Sequence, residues 1–460
     1  MSSSPQSPCS PLPRSSHRRQ RSMKIFRNLW AAVMGKSNHA DPNPATVLIV
    51  GAGSTGLALA QGLRKAGIPC VVVEKYDCLD ARSRDWNMGL HWGVSSLRSL
   101  VPDHMWDRIQ SVQVDPHAPT AEHDSLNFYN AQSGDMMASI PVQYFYRLRR
   151  RKLRGLLAEG LDIRYGKELR SIEYSEDGKF ATAWFEDGTS ITSHLVVGTD
   201  GAHSTLRQTL IGPSSGNTQR LPYCATFVQA RYSADRARYL RKLHPLYLAG
   251  INPAGYFSFF GMHDIQDPND PTTWTFFFYI SWHSPLEEQE RTANWTNAQR
   301  LQQVKELSKC FTDPWKSAFE WLPDDHQVWY MGLSDFDPGA KDHHWDNHGG
   351  RVTMAGDAAH SMTYQRGQGL NHSITDAAKL AEAVKQFASG KATQADAISS
   401  YEEEMVARAG GEVRLSTVNT RMLHNWEKVQ QSPVMRSGMT PQQQQQQQQQ
   451  PQPQQAIHAQ

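Results

Sequence analysis

Three short runs in this 460-residue chain combine glycines with a carboxylate at spacings suited to gripping a phosphorylated ligand. The first is Gly51-Ala52-Gly53-Ser54-Thr55-Gly56, with Glu74 further on. Gly51 permits a tight turn, Gly53 lets the backbone approach a pyrophosphate, and Gly56 lets a helix pack closely on a strand. Helix-start N–H groups and the helix dipole then face the phosphates, worth about 0.3–2 kcal/mol for a bound anion. Glu74 can accept from a ribose 2′-hydroxyl, and its charge would repel a 2′-phosphate, so this site favours an unphosphorylated adenosine ribose. The second run is Gly198-Thr199-Asp200-Gly201 through Arg207, and the third is Gly356-Asp357-Ala358-Ala359-His360, then Gly367-Gln368-Gly369-Leu370-Asn371. Both can add phosphate- or ring-facing N–H groups beside the first. Arg82 and Arg84 stand where a guanidinium could reach a pyrophosphate, or form a solvated surface pair.

The elements needed to position these runs are legible around them. Val47–Val50 is an apolar, β-branched run too short for a helix, so it reads as a buried parallel strand. Leu57, Leu59, Ala60 and Leu63 recur at helical spacing, Gly67 can stop the helix, and Cys70–Val73 forms a second strand, completing a βαβ unit. Residues 75–93 are polar and Gly-interrupted and read as a loop. Tyr146–Leu157 reads as a helix, and residues 161–197 as strands with an Asp187-Gly188 hairpin turn. Val352–Ala355 leads into the third run, and a helix continues through Ile374, Ala377, Leu380, Ala381 and Val384. Residues 213–345 are aromatic-rich, notably Tyr256–Phe260 and Trp274–Trp282. They read as a separate sheet, half of whose side chains form core while the other half can wall a hydrophobic pocket. A final helix pair covers roughly residues 374–425.

A net charge of +2 makes no case for nucleic acid or an acidic partner. The five cysteines are scattered without C-x-x-C spacing, and no metal is expected. The cluster from Asp342 to His348 lacks metal-site order and reads as a solvated loop. No apolar run is long enough to span a bilayer. Residues 1–45, without an acid before Asp41, read as a disordered or targeting extension. Residues 1–40 are compatible with mitochondrial import of an otherwise cytoplasmic protein, and 23–36 with a basic amphipathic helix on a membrane surface. A glutamine run, Gln442 to Gln450, marks a low-complexity tail.

Together, GAGSTG with Glu74, GTDGAHSTLR and GDAAH…GQGLN resemble the class A flavoprotein monooxygenases, the family of para-hydroxybenzoate hydroxylase, over about residues 46–425. The RSRDWNMGLHWG and TYQRGQGLNHSITDA runs are most similar to fungal members acting in secondary metabolism. The resemblance implies an α/β protein in which a Rossmann-type FAD-binding domain (46–85, 141–212 and 346–390) interleaves with a mostly antiparallel-sheet substrate domain (86–140 and 213–345). C-terminal helices (391–430) and a Gln-rich disordered tail (431–460) would follow. It implies that Gly51, Gly53 and Gly56 hold the FAD pyrophosphate and Glu74 the ribose. Arg150 would contact FAD from a helix, within a residue or two along the arginine cluster. Asp200 and Gly201 would serve FAD and the nicotinamide cofactor, and Gly356 and Asp357 the ribityl chain. Gly367, Gly369, Leu370 and Asn371 would start a helix aimed at the flavin. NADPH or NADH would reduce FAD, and O2 would give a hydroperoxide that hydroxylates or epoxidises an electron-rich hydrophobic molecule. The family's usual proline four residues after the histidine of GDAAH is Tyr364 here, so substrate geometry does not carry over. His91, Tyr364 and Tyr256 are candidates for a catalytic base. A Baeyer–Villiger oxygenase, a halogenase and a non-catalytic FAD-binding redox or interaction protein are the alternatives, although the halogenase W-x-W-x-I-P stretch is absent.

Overall fold

The computed structural model describes residues 45–81, 84–244 and 246–438. Strand β1 (Ala45–Val50) forms from the apolar β-branched run and is buried on both faces. The helix Ser54–Lys65 follows, burying Leu57, Leu59, Ala60 and Leu63. It stops because Gly67, at φ +75°, takes the left-handed conformation that closes a last turn. β2 (Cys70–Val73) then pairs parallel with β1.

Two local expectations are corrected next. β3 (Asn87–Leu90) lies inside the stretch expected to be a loop. After β4 (His123–Asn130) and β5 (Met136–Gln143) comes β6 (Tyr146–Arg149), inside the stretch expected to be helical. These four residues pair antiparallel with Leu90–Asn87, so helix begins only at Arg150 and runs to Ala158. Pairing with a distant segment overrides the local leucine spacing.

β7 (Ile163–Arg164), β8 (Leu169–Tyr174), β9 (Ala181–Phe185) and β10 (Ser190–Gly198) complete one side of the first sheet. The Asp187-Gly188 turn joins β9 to β10, with Gly188 at φ +79°. β11 (Gln219–Ala230), β12 (Tyr247–Asn252), β13 (Tyr256–Asp264), β14 (Thr275–His283) and β15 (Val328–Asp335) belong to the second sheet, and β16 (Val352–Met354) returns to the first. The first sheet runs β7-β2-β1-β10-β9-β8 with β16 against β10, and the second runs β15-β11-β14-β13-β12-β4-β5. Every pairing in the second is antiparallel except β12 with β4. The protein is therefore the mixed α/β fold expected.

Strand alternation sorts the aromatics. Phe276, Phe278, Ile280 and Trp282 join a core with Trp315 and Phe319, whereas Phe277 and Tyr279 join Phe227, Tyr247 and Phe257 on the opposite face. Each buried ring contributes roughly 1.5–3 kcal/mol of transfer free energy. Two long helices, Gly369–Ala388 and Gln394–Leu423, close the first sheet.

The loop 342–348 is more tied down than expected. Trp345 and Asn347 donate to Glu402 (2.9 and 2.8 Å), while His343 stacks on Phe336 and His348 on Tyr174. Packing also continues past residue 430, where the tail was expected to begin: Ser432 and Val434 are fully buried. The expected extension and amphipathic helix, and the glutamine run, lie outside the described residues. Among the described residues no helix is long and apolar enough to cross a membrane.

Candidate active site

The three glycine runs leave the C-terminal ends of adjacent parallel strands, Val50 pairing with Gly198 and Gly198 with Met354. Their turns touch. A Cβ on Gly51 (φ +110°) would lie 2.5 Å from the Thr199 carbonyl oxygen, and one on Gly356 (φ +65°) 2.6 Å from Thr55 Oγ1. Thr199 Oγ1 donates to the carbonyls of Val50 and Gly51 at 3.0 and 2.9 Å, tying the second turn to the first. A Cβ on Gly201 or Gly369, by contrast, would meet nothing within 4 Å, so the backbone there faces open space. The result is a cradle with close-packed glycine walls and an open mouth, the shape in which backbone N–H groups meet a phosphorylated ligand.

Glu74 sits at this cradle, its carboxylate accepting from the Ala52 N–H at 3.0 Å and the Tyr76 N–H at 3.3 Å. Asp357 opens the third turn with its side chain exposed at the floor of the concavity. Crowding by surrounding protein pushes its carboxyl up, opposed by His360, Arg150 and Arg207. The Arg150 guanidinium, one of these opposing charges, stacks over Trp86 at 4.5 Å. Gly367, at φ +64°, ends the turn that precedes the Gly369–Ala388 helix. Arg84 is exposed, and Arg82 lies outside the described residues.

Several of the expected site residues are engaged by the protein itself. Asn371 is wholly buried: its Oδ1 accepts from the His91 and Gly93 N–H groups (2.9 and 3.1 Å) and its Nδ2 donates to Gly89 and Gly367. It locks the third turn to the His91 loop and has no surface to offer a ligand. Gly356 is buried with its N–H donated to Asp376 (2.8 Å), so its part is the close approach to Thr55. Leu370 is buried in the core of the first sheet. The Asp200 carboxylate caps the Thr205–Ile211 helix by accepting from Ser204 Oγ (2.5 Å) and the Leu206 N–H (3.1 Å). Burial pushes that carboxyl up, and these hydrogen bonds oppose it.

Residue patterns missed the clamps. Arg154 donates from Nε to the Ala52 carbonyl (2.9 Å) and from Nη1 to Leu79 (3.0 Å). Arg207, fully buried above the Phe336 ring, donates to the carbonyls of Ala202 (2.5 Å), Gly216 (2.7 Å) and Ala358 (2.8 Å), joining the second turn to the third. Asp376 accepts from His360 Nε2 (2.5 Å) and from Arg408 (2.7 Å), and these partners hold its carboxyl far below the ordinary range against a large burial cost. An acid on the inward face of a helix, between Ile374 and Ala377, was the available signal for this network.

Beyond the cradle lies the inner face of the second sheet. Tyr364 packs edge-on against Tyr279 and Phe227, with ring centroids 5.2 and 5.6 Å away. Burial raises its hydroxyl well above the ordinary value, which favours the protonated form. His91 packs against Phe145 at 5.7 Å, and among the described residues its Nε2 has no hydrogen-bond partner. Burial, then the Arg366 charge, pushes its pKa down to about 4, so it is neutral near pH 7. Tyr256 is corrected: strand alternation turns it to the opposite face, where it stacks with Phe311.

Residues 44–310 and 338–416 match the family described as FAD binding domain. The FAD-dependent monooxygenase cctM of Talaromyces islandicus is 36% identical over 394 residues, covering 85% of this chain and 96% of that protein. The FAD-dependent monooxygenase phnB of Penicillium herquei is 34% identical over 399 residues, covering 86% and 95%. Among solved structures, Klebsiella pneumoniae HpxO complexed with FAD and uric acid superposes with a TM-score of 0.67 at 17% identity, covering 88% of this chain and 97% of that one, a likeness of fold. The shared domain and the identity over most of both chains lead to one assignment: the chain belongs to the FAD-dependent monooxygenases.

Proposed function

We propose that this enzyme uses NADPH or NADH and O2 to hydroxylate or epoxidise a hydrophobic, electron-rich small molecule of secondary metabolism. The observation that carries this reading is the convergence of three turns on one cradle whose mouth adjoins the aromatic face of the second sheet. When bound, FAD would supply the redox chemistry by which the nicotinamide cofactor reduces O2, one oxygen atom entering the substrate and the other leaving as water. The Gly51–Gly56 turn would hold its pyrophosphate and Glu74 its ribose, using acceptor capacity left after the Ala52 and Tyr76 contacts. Asp357 and Arg150 would flank the ribityl chain, and the open backbone at Gly367 and Gly369 would face the ring. Gly201 would add its N–H from the second turn.

The rings of Tyr364, Tyr279, Phe227 and Trp329 would exclude water from the reacting oxygen, which otherwise escapes as hydrogen peroxide. Tyr364, held protonated, would donate a hydrogen bond, and neutral His91 would hold or pass a proton at Nε2. The sharing of strands within each sheet supports division into an FAD-binding part and a substrate part, with Leu90, Leu97, Leu100 and Met105 packing on the FAD-binding side rather than in the substrate part expected for residues 86–140. We place the enzyme in the cytoplasm. The test is oxygen transfer: purified protein should be yellow, oxidise NADPH or NADH faster with a hydrophobic phenol present, and give product carrying one atom from labelled O2. A colourless protein with unchanged oxidation, or product labelled from water, would overturn it.

A further inference from the structure

A helix that closes a core turns an apolar stripe inward, but the Gln394–Leu423 helix carries a polar stripe beside it. Glu404, Arg408, Glu412, Ser416 and Thr420 recur at every fourth position, and the last four are buried. Most of this stripe is paired. Arg408 donates to Asp376 and Glu404, and Thr420 Oγ1 lies 2.8 Å from Thr363 Oγ1 and 2.9 Å from Gln365 Oε1. Glu412 is the exception. Its Oε1 stands 2.9 Å from Arg366 Nε and accepts from Ser416 Oγ at 3.0 Å, while its Oε2 has no hydrogen-bond partner among the described residues. The two side chains of this ion pair are only 0% and 2% exposed.

The Arg366 end of the pair reaches the candidate site. Arg366 ends the Tyr364–Arg366 turn just before Gly367, and Asn371 ties this turn to His91, donating to the Gly367 carbonyl at 3.3 Å and accepting from the His91 N–H at 2.9 Å. Among the described residues Arg366 Nη1 and Nη2, His91 Nε2 and His372 Nε2 also have no hydrogen-bond partner. The Arg366 charge is felt at both histidines. His372 Nε2 carries a hydrogen in the neutral ring that burial favours, because its Nδ1 accepts from Arg408. Asp376, the other buried acid facing this region, is engaged by His360 and Arg408. Unpaired donors thus accompany an unpaired carboxylate oxygen, the set of groups that holds buried water.

Hydride transfer leaves one negative charge on a flavin, and each complete turnover takes one proton from solvent. We propose that Glu412 takes up that proton when the flavin is reduced, freeing the Arg366 cation to balance the reduced coenzyme, and gives it back when oxygen leaves as water. On reduction the nicotinamide cofactor loses a hydride to the flavin, and the Glu412 carboxylate gains an O–H bond at the expense of a solvent proton. On reoxidation that O–H bond breaks. Its proton crosses bridging water to His91 Nε2 while His91 Nδ1 releases one, and this proton and the hydrogen carried by the flavin complete the water molecule whose oxygen came from O2. The ion pair then re-forms. Burial pushes the Glu412 carboxyl up, opposed by the Arg366 charge and the Ser416 hydrogen bond, so a negative charge arriving nearby can tip it to the protonated form. The inference rests on the monooxygenase reading, but its test requires neither substrate nor turnover.

FAD-loaded enzyme is photoreduced without oxygen above neutral pH, and the protons taken up per two electrons are counted with an indicator dye. The wild type should take up two, one with the flavin and one at Glu412, and its reduced flavin should show the anionic spectrum. Glu412→Gln, which keeps the shape and the Ser416 contact, should take up one. Infrared difference spectra should show a carboxylic-acid carbonyl band that appears on reduction of the wild type and is missing from the variant. One proton in the wild type would overturn the proposal, whether or not Glu412→Gln folds. Two protons in FAD-loaded Glu412→Gln would also overturn it. A neutral reduced-flavin spectrum in the wild type would place the second proton on the coenzyme and refute the assignment to Glu412. Two protons falling to one in the variant, with no oxygen transferred to any substrate, would uphold Glu412 and count against the monooxygenase reading alone.

Discussion

Arg207 shows how much a single side chain carries here. Its planar fork reaches carbonyls on three separate segments, a geometry that a lysine ammonium cannot reproduce. Arg207→Lys should cost about 2–4 kcal/mol, from two or more carbonyls losing donors at roughly 1–1.5 kcal/mol each and a buried charge left short of partners. Urea unfolding measures this directly, and a change below half a kilocalorie would remove the clamp argument. Asp357, exposed in the concavity, has the opposite character. Asp357→Ala should leave unfolding nearly unchanged while FAD affinity, read by fluorescence quenching, falls at least about tenfold, the loss expected from one charge-assisted hydrogen bond. An FAD-saturated variant of normal affinity would count against the ribityl contact. The carboxylates of Glu74 and Asp357 were legible as candidates because Glu74 directly follows the second strand of the βαβ unit and Asp357 directly follows Gly356. Arg154 and Arg207 were not, and Asn371 was read as a helix start rather than as a lock, since their work depends on partners about 100, 150 and 280 positions away.

At the scale of elements, the βαβ unit was readable because local signals agree: β-branched strand, glycine turn, periodic leucines and a glycine stop. Tyr146–Arg149 was misread because its leucine and arginines fit a helix until β3 pairs with them. Tyr256 was misplaced for a related reason, since alternation in a strand turns on a parity that only the register supplies. The long Gln394–Leu423 helix ends at His424, which bonds the Thr420 carbonyl (2.7 Å) and Ser281 Oγ (2.9 Å). Burial pushes His424 down to about 4 from 6.5. A base with a lowered folded pKa remains neutral while the unfolded chain takes up a proton, so its contribution to stability is present above 6.5 and lost as pH falls towards 4. At about 1.4 kcal/mol per unit this reaches roughly 3 kcal/mol at most. His424→Gln should flatten that part of the acid limb, measured by unfolding free energy at successive pH values. An equally steep limb would assign the loss to other groups.

Across the whole molecule, the second sheet is closed by chain that composition had marked as tail. Val434 enters the core beside Leu423, and its N–H donates to Asn419 Oδ1 at 3.0 Å. Ending the chain at residue 431 should therefore cost about 2–3 kcal/mol, chiefly from the buried valine and its neighbours. Ending it at 438 should leave both melting temperature and turnover as they are. Melting curves of the two truncations separate these outcomes, and equal curves would return residues 432–438 to the tail.

The neighbours at the centre of the first sheet are far apart along the chain: β1 ends at Val50, β10 at Gly198 and β16 at Met354. A ribosome making this protein from its amino terminus must finish most of the polypeptide before the last wall of the cradle exists. On the proposed site, flavin capture would be a late event of biogenesis, and any message cut short before the third glycine run should yield a product with half a grip and no hold on the coenzyme.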